Sequence, residues 1–283
     1  MVQNRRDFLK MAGFAAGALL PATKLLAGSK GTKPFGIQLY SIKEDIAKDP
    51  KDVLKQLASY GYKQIESFEG SQGIFWGMAP KEFGKYVSDL GMKIISAHCD
   101  IEKDFERKAA DAASIGMKYL LCPWKGPQKS IDAFKKFADE FNKCGEICKK
   151  NGIRFGYHNH DYSFKTIDGQ LPQDVMMANT DPALVDFEMD MYWVVTAGMD
   201  PIAYMQKHKN RFRLCHIKDR VKNAHDQFDS CVLGTGSIDY PSIVKKAKAL
   251  GMQYFIVEQE KFDQGTPMEC AQKNAVYMKT LSL

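Results

Sequence analysis

Four pairs of residues, each two apart, carry groups able to do chemistry: His158 and His160, Glu188 and Asp190, His216 and Lys218, Glu258 and Glu260. Residues i and i+2 lie on one face of a β-strand, so each pair points one way if its segment is a strand. Residues of the same kind stand at matching points earlier in the chain: Gln38 and Tyr40, Glu66, Ser96 and His98, Cys122 and Trp124. Carboxylates crowded beside neutral imidazoles repel one another unless a cation sits among them. A mixed nitrogen and oxygen donor set suits Mn²⁺, Zn²⁺, Co²⁺ or Fe²⁺, and suits Mg²⁺ or Ca²⁺ less well. The competing account leaves the acids in rim salt bridges with Lys218 and Arg220. Charges retained at strand ends without a use are costly, which favours the cation.

Five segments set out the frame that would hold these residues: SYGYKQIES, DLGMKIISA, SIGMKYLLC, KNGIRFGYH and ALGMQYFIV. In each, a helical stretch ends at a glycine (61, 91, 116, 152 and 251) and a β-rich run follows. Glycine ends a helix because it takes the left-handed conformation cheaply. Stretches such as PKDVLKQLASYG have apolar residues at three- and four-residue intervals, and Pro50 and Pro80 stand where a first helical turn needs no N–H. The pattern predicts eight strands, at 35–41, 62–68, 93–99, 118–124, 154–160, 184–190, 212–218 and 254–260, each followed by a helix, the weakest over 171–180. Such alternation implies parallel strands with right-handed crossovers. Eight units at this length predict a single α/β domain, a (β/α)8 TIM barrel, whose chemistry lies at the C-terminal ends of the strands. The chemical residues share one parity. The other parity, including Ile37, Ile65, Ile95, Leu121, Phe187, Ile217 and Val257, is apolar and suits packing against helices.

At VDFEMD (185–190), CHIKD (215–219), LGTGSIDY (233–240) and YFIVEQE (254–260), the sequence resembles the xylose-isomerase-like barrels, the sugar phosphate isomerase/epimerase superfamily. The resemblance covers essentially all of 34–283. It implies one divalent metal held by a fifth-strand acid, a sixth-strand Asp, a seventh-strand His and an eighth-strand Glu. This carries metal roles to Asp190, His216 and Glu258. The fifth-strand position is His158, in a Tyr-His-x-His run closer to the inosose dehydratase branch, so the metal set here is His158, Asp190, His216 and Glu258. The family's sixth-strand Asp-x-x-His is Asp190-x-x-Trp193. Epimerases of the family pair glutamates of the fifth and eighth strands to move a proton across a sugar carbon, and His158 replaces one of that pair.

The expected function is a metal-dependent sugar isomerase or epimerase that abstracts a proton next to a carbonyl. Glu258 or His158 would take the proton, and His160 or Glu188 would return one. A lyase or dehydratase acting on a keto-sugar or 3-keto-glycoside shares that first step, and a non-catalytic sugar-binding barrel is the reading from another class. Contacts to a small-molecule carbohydrate or keto-sugar are expected from Gln38, Tyr40, Glu66, His98, Trp124, Lys218 and Glu260. Phe75-Trp76 reads as a lid, Gly234-x-Gly236 as a turn rather than a phosphate cradle, and His208 and His225 as surface residues.

The first 27 residues read differently. Arg5-Arg6 precedes an apolar stretch from Met11 to Leu20, too short to span a bilayer and suited to a signal h-region. The run resembles a twin-arginine export signal, with Asn4 where Ser or Thr is usual, which makes residues 1–27 a signal peptide, 28–283 the barrel, and the periplasm the expected compartment. Arg5, Arg6, Lys10 and Lys24 against Asp7 carry half of the formal charge of +6. The remaining excess is too weak for nucleic-acid binding, and no later segment is long and apolar enough for a membrane span. Seven cysteines without a C-x-x-C read mostly as small core residues.

Overall fold

The repeated units fold as the sequence predicts because each has its own start and stop. In a computed structural model that describes residues 33–283, all five repeat glycines lie at positive φ, from 72° at Gly91 to 105° at Gly61. Prolines 50, 80, 172, 201 and 267 open helices. Asp49, Asp200, Asp239 and Thr266 cap helices by accepting from backbone N–H groups of the first turn. The export signal read over 1–27 lies outside the described residues.

The strands are the first (Gly36–Gln38), second (Gln64–Phe68), third (Lys93–His98), fourth (Tyr119–Cys122), fifth (Arg154–His158), sixth (Val185–Asp190), seventh (Phe212–Ile217) and eighth (Tyr254–Val257). They pair in parallel, in sequence order, and the eighth closes on the first. The weakest helix of the sequence reading is present as Pro172–Ala178. Most of the apolar parity packs outward with the helices in one large core. No helix among the described residues is long and apolar enough to cross a membrane. All seven cysteines are buried free thiols.

Three expectations change. Ile95 and Leu121 do not face the helices: with Tyr119, Leu214 and Ile256 they form a small separate cluster that floors the barrel. In the third strand the cause is a bulge, since Ile65 pairs with Ile94 while Glu66 pairs with Ser96 and Ile95 is the extra residue. In the fourth strand the parity is reversed throughout, so Cys122 joins the outer core, and Trp124 reaches the mouth only because the strand has already ended. Phe75-Trp76 is no lid. Trp76 is buried, its Nε1 donates to Ser67 Oγ at 3.1 Å, and Phe75 packs edge-on to Phe83. The Gly234-x-Gly236 loop is a turn filled from within. Both glycine N–H groups donate to Asp219 Oδ2, at 2.9 and 3.0 Å. His225 is exposed and His208 sits half-buried against Asp174.

Candidate metal centre

The C-terminal ends of the fifth to eighth strands, with Glu258 just past the last of them, bring His158, Asp190, His216 and Glu258 together. All four are buried, and one donor atom from each lies within 4.8 Å of the others. His216 Nδ1 is 3.1 Å from Glu258 Oε2, 3.2 Å from His158 Nε2 and 3.7 Å from Asp190 Oδ2, and His158 Nε2 is 3.5 Å from Asp190 Oδ2. Ion–donor bonds of about 2.0–2.2 Å at tetrahedral angles place donors about 3.4 Å apart. The residues therefore fit a divalent transition metal.

Asp190 makes the fit specific. It caps the short helix Met191–Thr196, and its Oδ1 accepts from the backbone N–H of Tyr192 and Trp193. The Asn159 side chain pairs with its backbone N–H and C=O, both at 3.2 Å. Oδ2 faces the two imidazoles and is buried with no hydrogen-bond partner, a rare condition for a buried polar atom. Burial alone would raise this carboxyl, but Lys218 and the imidazoles outweigh it and hold it well below the usual range.

Beneath lies a second buried group, Glu66, His98, Glu188 and His216, whose donor atoms also lie within 4.8 Å. Here the shortest separations are those of hydrogen bonds: His216 Nε2 to Glu66 Oε1 at 2.7 Å, and His98 Nε2 to Glu188 Oε2 at 2.8 Å. Glu66 also accepts from Gln38 Nε2 at 2.8 Å and Ser96 Oγ at 2.6 Å. Burial would raise its carboxyl, yet His98, His216 and Ser96 hold it down at about 2. Glu188 goes the other way, pushed well up by burial and by the charge on Glu66.

Above the metal set opens a cavity of about 620 Å³. His158, His160, Glu258 and Glu260 line its fifth-to-eighth-strand side, and Tyr40, Phe68, His98 and Trp124 line the other. His160 is boxed by Trp124, Tyr162 and Trp193 at ring-centroid distances of 4.5, 5.8 and 5.4 Å. Burial and the neighbouring His158 keep its imidazole well below its usual range, hence neutral. Gln38, Glu66, Glu188 and Lys218, expected at the substrate, do not line the cavity. Same-face residues of a strand differ in depth by about 6.6 Å, and Gln38, Glu66 and Glu188 form a supporting layer. Lys218 lies behind Glu258 and Glu260, ion-paired to both, between the Tyr192 and Trp193 rings. Sequence reasoning missed Asn159, Phe68, Glu69 and Asp100. Phe68 shares the parity of Glu66 one step further along, a signal that was available, whereas Glu69 and Asp100 come from loops beyond any strand period.

Likeness to known proteins places this geometry. The family described as xylose isomerase-like TIM barrel matches residues 54–281. A sugar phosphate isomerase/epimerase from Parabacteroides distasonis is 31% identical, superposes with a TM-score of 0.77, and overlaps 92% of this chain and 98% of its own. Inosose dehydratase from Clostridium beijerinckii is 28% identical over 164 residues, 52% of this chain and 54% of that enzyme, so the chain spans about half the length of that curated relative. The IolI protein, solved with a bound zinc atom, is 14% identical over 88% of this chain and 99% of its own, at a TM-score of 0.72, and shares the fold. The match across 54–281 and the near-complete overlap with a 31% identical relative support one conclusion: this chain belongs to the xylose isomerase-like TIM barrel family.

Proposed function

We propose that this protein is a metal-dependent sugar isomerase or epimerase that works by abstracting a proton next to a carbonyl. The observation that carries the proposal is Asp190: one carboxylate oxygen is pinned by a helix N-terminus, and the other is buried, free and aimed at two imidazoles and a glutamate. A divalent ion held by His158, Asp190, His216 and Glu258 supplies Lewis-acid polarisation of substrate oxygens when bound. Glu258 lines the cavity and is the base: burial would raise its carboxyl, but Lys218 and His216 keep it well below the usual range, so it is ionised. His160 lines the same wall as a neutral imidazole whose Nδ1 has no partner. From the opposite wall His98 faces the cavity with Glu188 behind it, which gives proton-transfer groups on two sides of a bound carbon.

Elimination is the second reading. It is favoured by two observations, the inosose dehydratase relative and an imidazole at 158 where a second glutamate is usual. The protein loaded with Mn²⁺ is incubated in deuterated water with plain hexoses and with 3-keto-glycosides, and products are followed by mass spectrometry and NMR. A rearranged sugar of unchanged composition, apart from deuterium, means isomerase chemistry, and release of water or of an aglycone means lyase chemistry. Binding without any turnover would sink both in favour of a sugar-binding barrel.

A further inference from the structure

Two opposed walls of the cavity differ in kind. The metal set occupies the ends of the fifth to eighth strands, whereas the wall from the first to the fourth strand is aromatic: Tyr40, Phe68 and Trp124. Four large apolar side chains stand exposed among the described residues, and two of them, Tyr40 at 38% and Trp124 at 53%, are at this one mouth. Tyr40 is braced edge-on by Phe68 at 5.2 Å, and Trp124 by His160 and Tyr162 at 4.5 and 4.8 Å. Exposed aromatic surface held rigid beside a polar centre marks a ligand groove. The cavity volume of about 620 Å³ lies well inside the range of about 300–1,000 Å³ found for pockets that bury drug-sized ligands.

The charges of the lining point the same way. Four carboxylates, Glu69, Asp100, Glu258 and Glu260, face the cavity against one lysine, Lys103. A phosphate would need a bidentate guanidinium, a cluster of lysines or a cradle of free backbone N–H groups. No arginine lines the cavity. The backbone N–H groups of the Gly234–Gly236 loop are already taken, those of the two glycines by the Asp219 carboxylate and that of Thr235 by the Val232 carbonyl.

We infer that the site takes an uncharged two-ring carbohydrate, a glycoside or disaccharide rather than a sugar phosphate, with one ring at the metal set and the second on Tyr40 and Trp124. The inference deepens the proposed function and rests on it for the placing of the first ring. The apolar face of a sugar or aryl ring covers an exposed indole, and that area is removed from water only when the second ring is present.

The test uses the full chain with Zn²⁺ and six probes: glucose and galactose, their 6-phosphates, and their phenyl β-glycosides, each titrated by calorimetry. In at least one series the phenyl glycoside is expected to bind about tenfold more tightly than the free hexose, and the 6-phosphate no more tightly. The double variant Trp124→Ala, Tyr40→Ala is expected to lose that tenfold preference while keeping wild-type circular dichroism and zinc content, since both side chains are at the surface. The inference is overturned if a 6-phosphate is the tightest ligand in its series, if the preference survives in the double variant, or if no probe binds. Failure of the metal-dependent reading shows separately, as zinc content unchanged in His216→Ala, and leaves the ranking of probes legible.

Discussion

Glu66 should control the metal centre without touching the metal. Its Oε1 receives His216 Nε2 at 2.7 Å and Gln38 Nε2 at 2.8 Å, while Oε2 receives Ser96 Oγ at 2.6 Å. A carboxylate behind a ligating imidazole fixes the tautomer, so that Nε2 carries the proton and Nδ1 presents its lone pair to the metal set. Glu66→Gln keeps the shape. The amide oxygen can stay on the Oε1 side, and the Ser96 hydroxyl can rotate to accept from the new NH₂ group. What is lost is charge. A hydrogen bond to an ionised partner contributes about 1.5–3 kcal/mol against about 1 for a neutral one, so the imidazole loses about 1–2 kcal/mol of orientation. That corresponds to a zinc affinity weaker by about 5- to 30-fold, in line with the usual cost of altering a partner of a metal ligand. Zinc dissociation constants measured by competition with a chelating dye at neutral pH provide the readout, with a thermal melt of the zinc-free variant to show that it is folded. Ser96→Ala is the control, because it removes a partner of Glu66 without touching the His216 contact, and it should cost less than about threefold. A folded Glu66→Gln protein with zinc affinity within twofold of wild type would refute this assignment.

Other perturbations separate the remaining claims. Elemental analysis should find about one divalent transition metal per wild-type chain, and markedly less in Asp190→Ala and His216→Ala; equal content in all three would exclude this ligand set. Gly156→Ala should destabilise the barrel by about 1–3 kcal/mol in urea unfolding, because a Cβ there would stand 2.5 Å from Leu121 Cδ2 in the floor; an unchanged midpoint would show that the floor yields. For the leader, we propose twin-arginine export. A chain beginning near Gly28 should keep the wild-type melting temperature, Arg5→Lys with Arg6→Lys should hold the protein in the cytoplasm, and periplasmic recovery of the double variant would count against that route.

The eight-strand frame was legible because each unit carries local signals that tertiary packing had no reason to override. A glycine takes positive φ, a proline opens the next helix, and an apolar run follows. The face on which His158, Asp190, His216 and Glu258 lie was legible for the same reason, since period two survives wherever pairing is regular. Depth was not. Gln38, Glu66 and Glu188 share the inward face with the residues lining the cavity, yet they sit one layer lower, because depth depends on how each strand is staggered against its neighbours around the barrel. Nor were the bulges legible. One residue inserted at Ile95 turns an apolar side chain into the floor without any change in local composition, and a second shift at Phe187–Glu188 pairs Leu214 with Glu188. Leu121 of the floor fits only because its neighbour on the fifth strand is Gly156, where a Cβ would stand 2.5 Å from Leu121 Cδ2.

Rim salt bridges neutralise only part of the charge on these acids. Arg220 does not take part: its guanidinium donates to Thr196 Oγ1 and to the carbonyls of Ala224 and Asp226. Lys218 does, pairing with Glu258 and Glu260 and lying 3.8 Å from Asp190 Oδ2. Burial would lower its ammonium, but Glu258, Glu260 and Asp190 hold it well above its usual range, and the Tyr192 and Trp193 rings flank the charge at 4.9 and 4.8 Å. One lysine thus faces three carboxylates, of which Asp190 and Glu258 are buried, with the buried Glu66 charge on the far side of His216. A buried excess of negative charge is expensive unless another cation joins it. The same field shows at His216, where burial opposes a cationic ring and the surrounding Glu188, Glu258 and Asp190 push it well above its usual range. A second positive charge is therefore called for between Lys218 and Glu66. A proton on His216 can supply it, but that leaves Asp190 Oδ2 without a partner. A divalent ion in its place satisfies both imidazoles and both carboxylates at once.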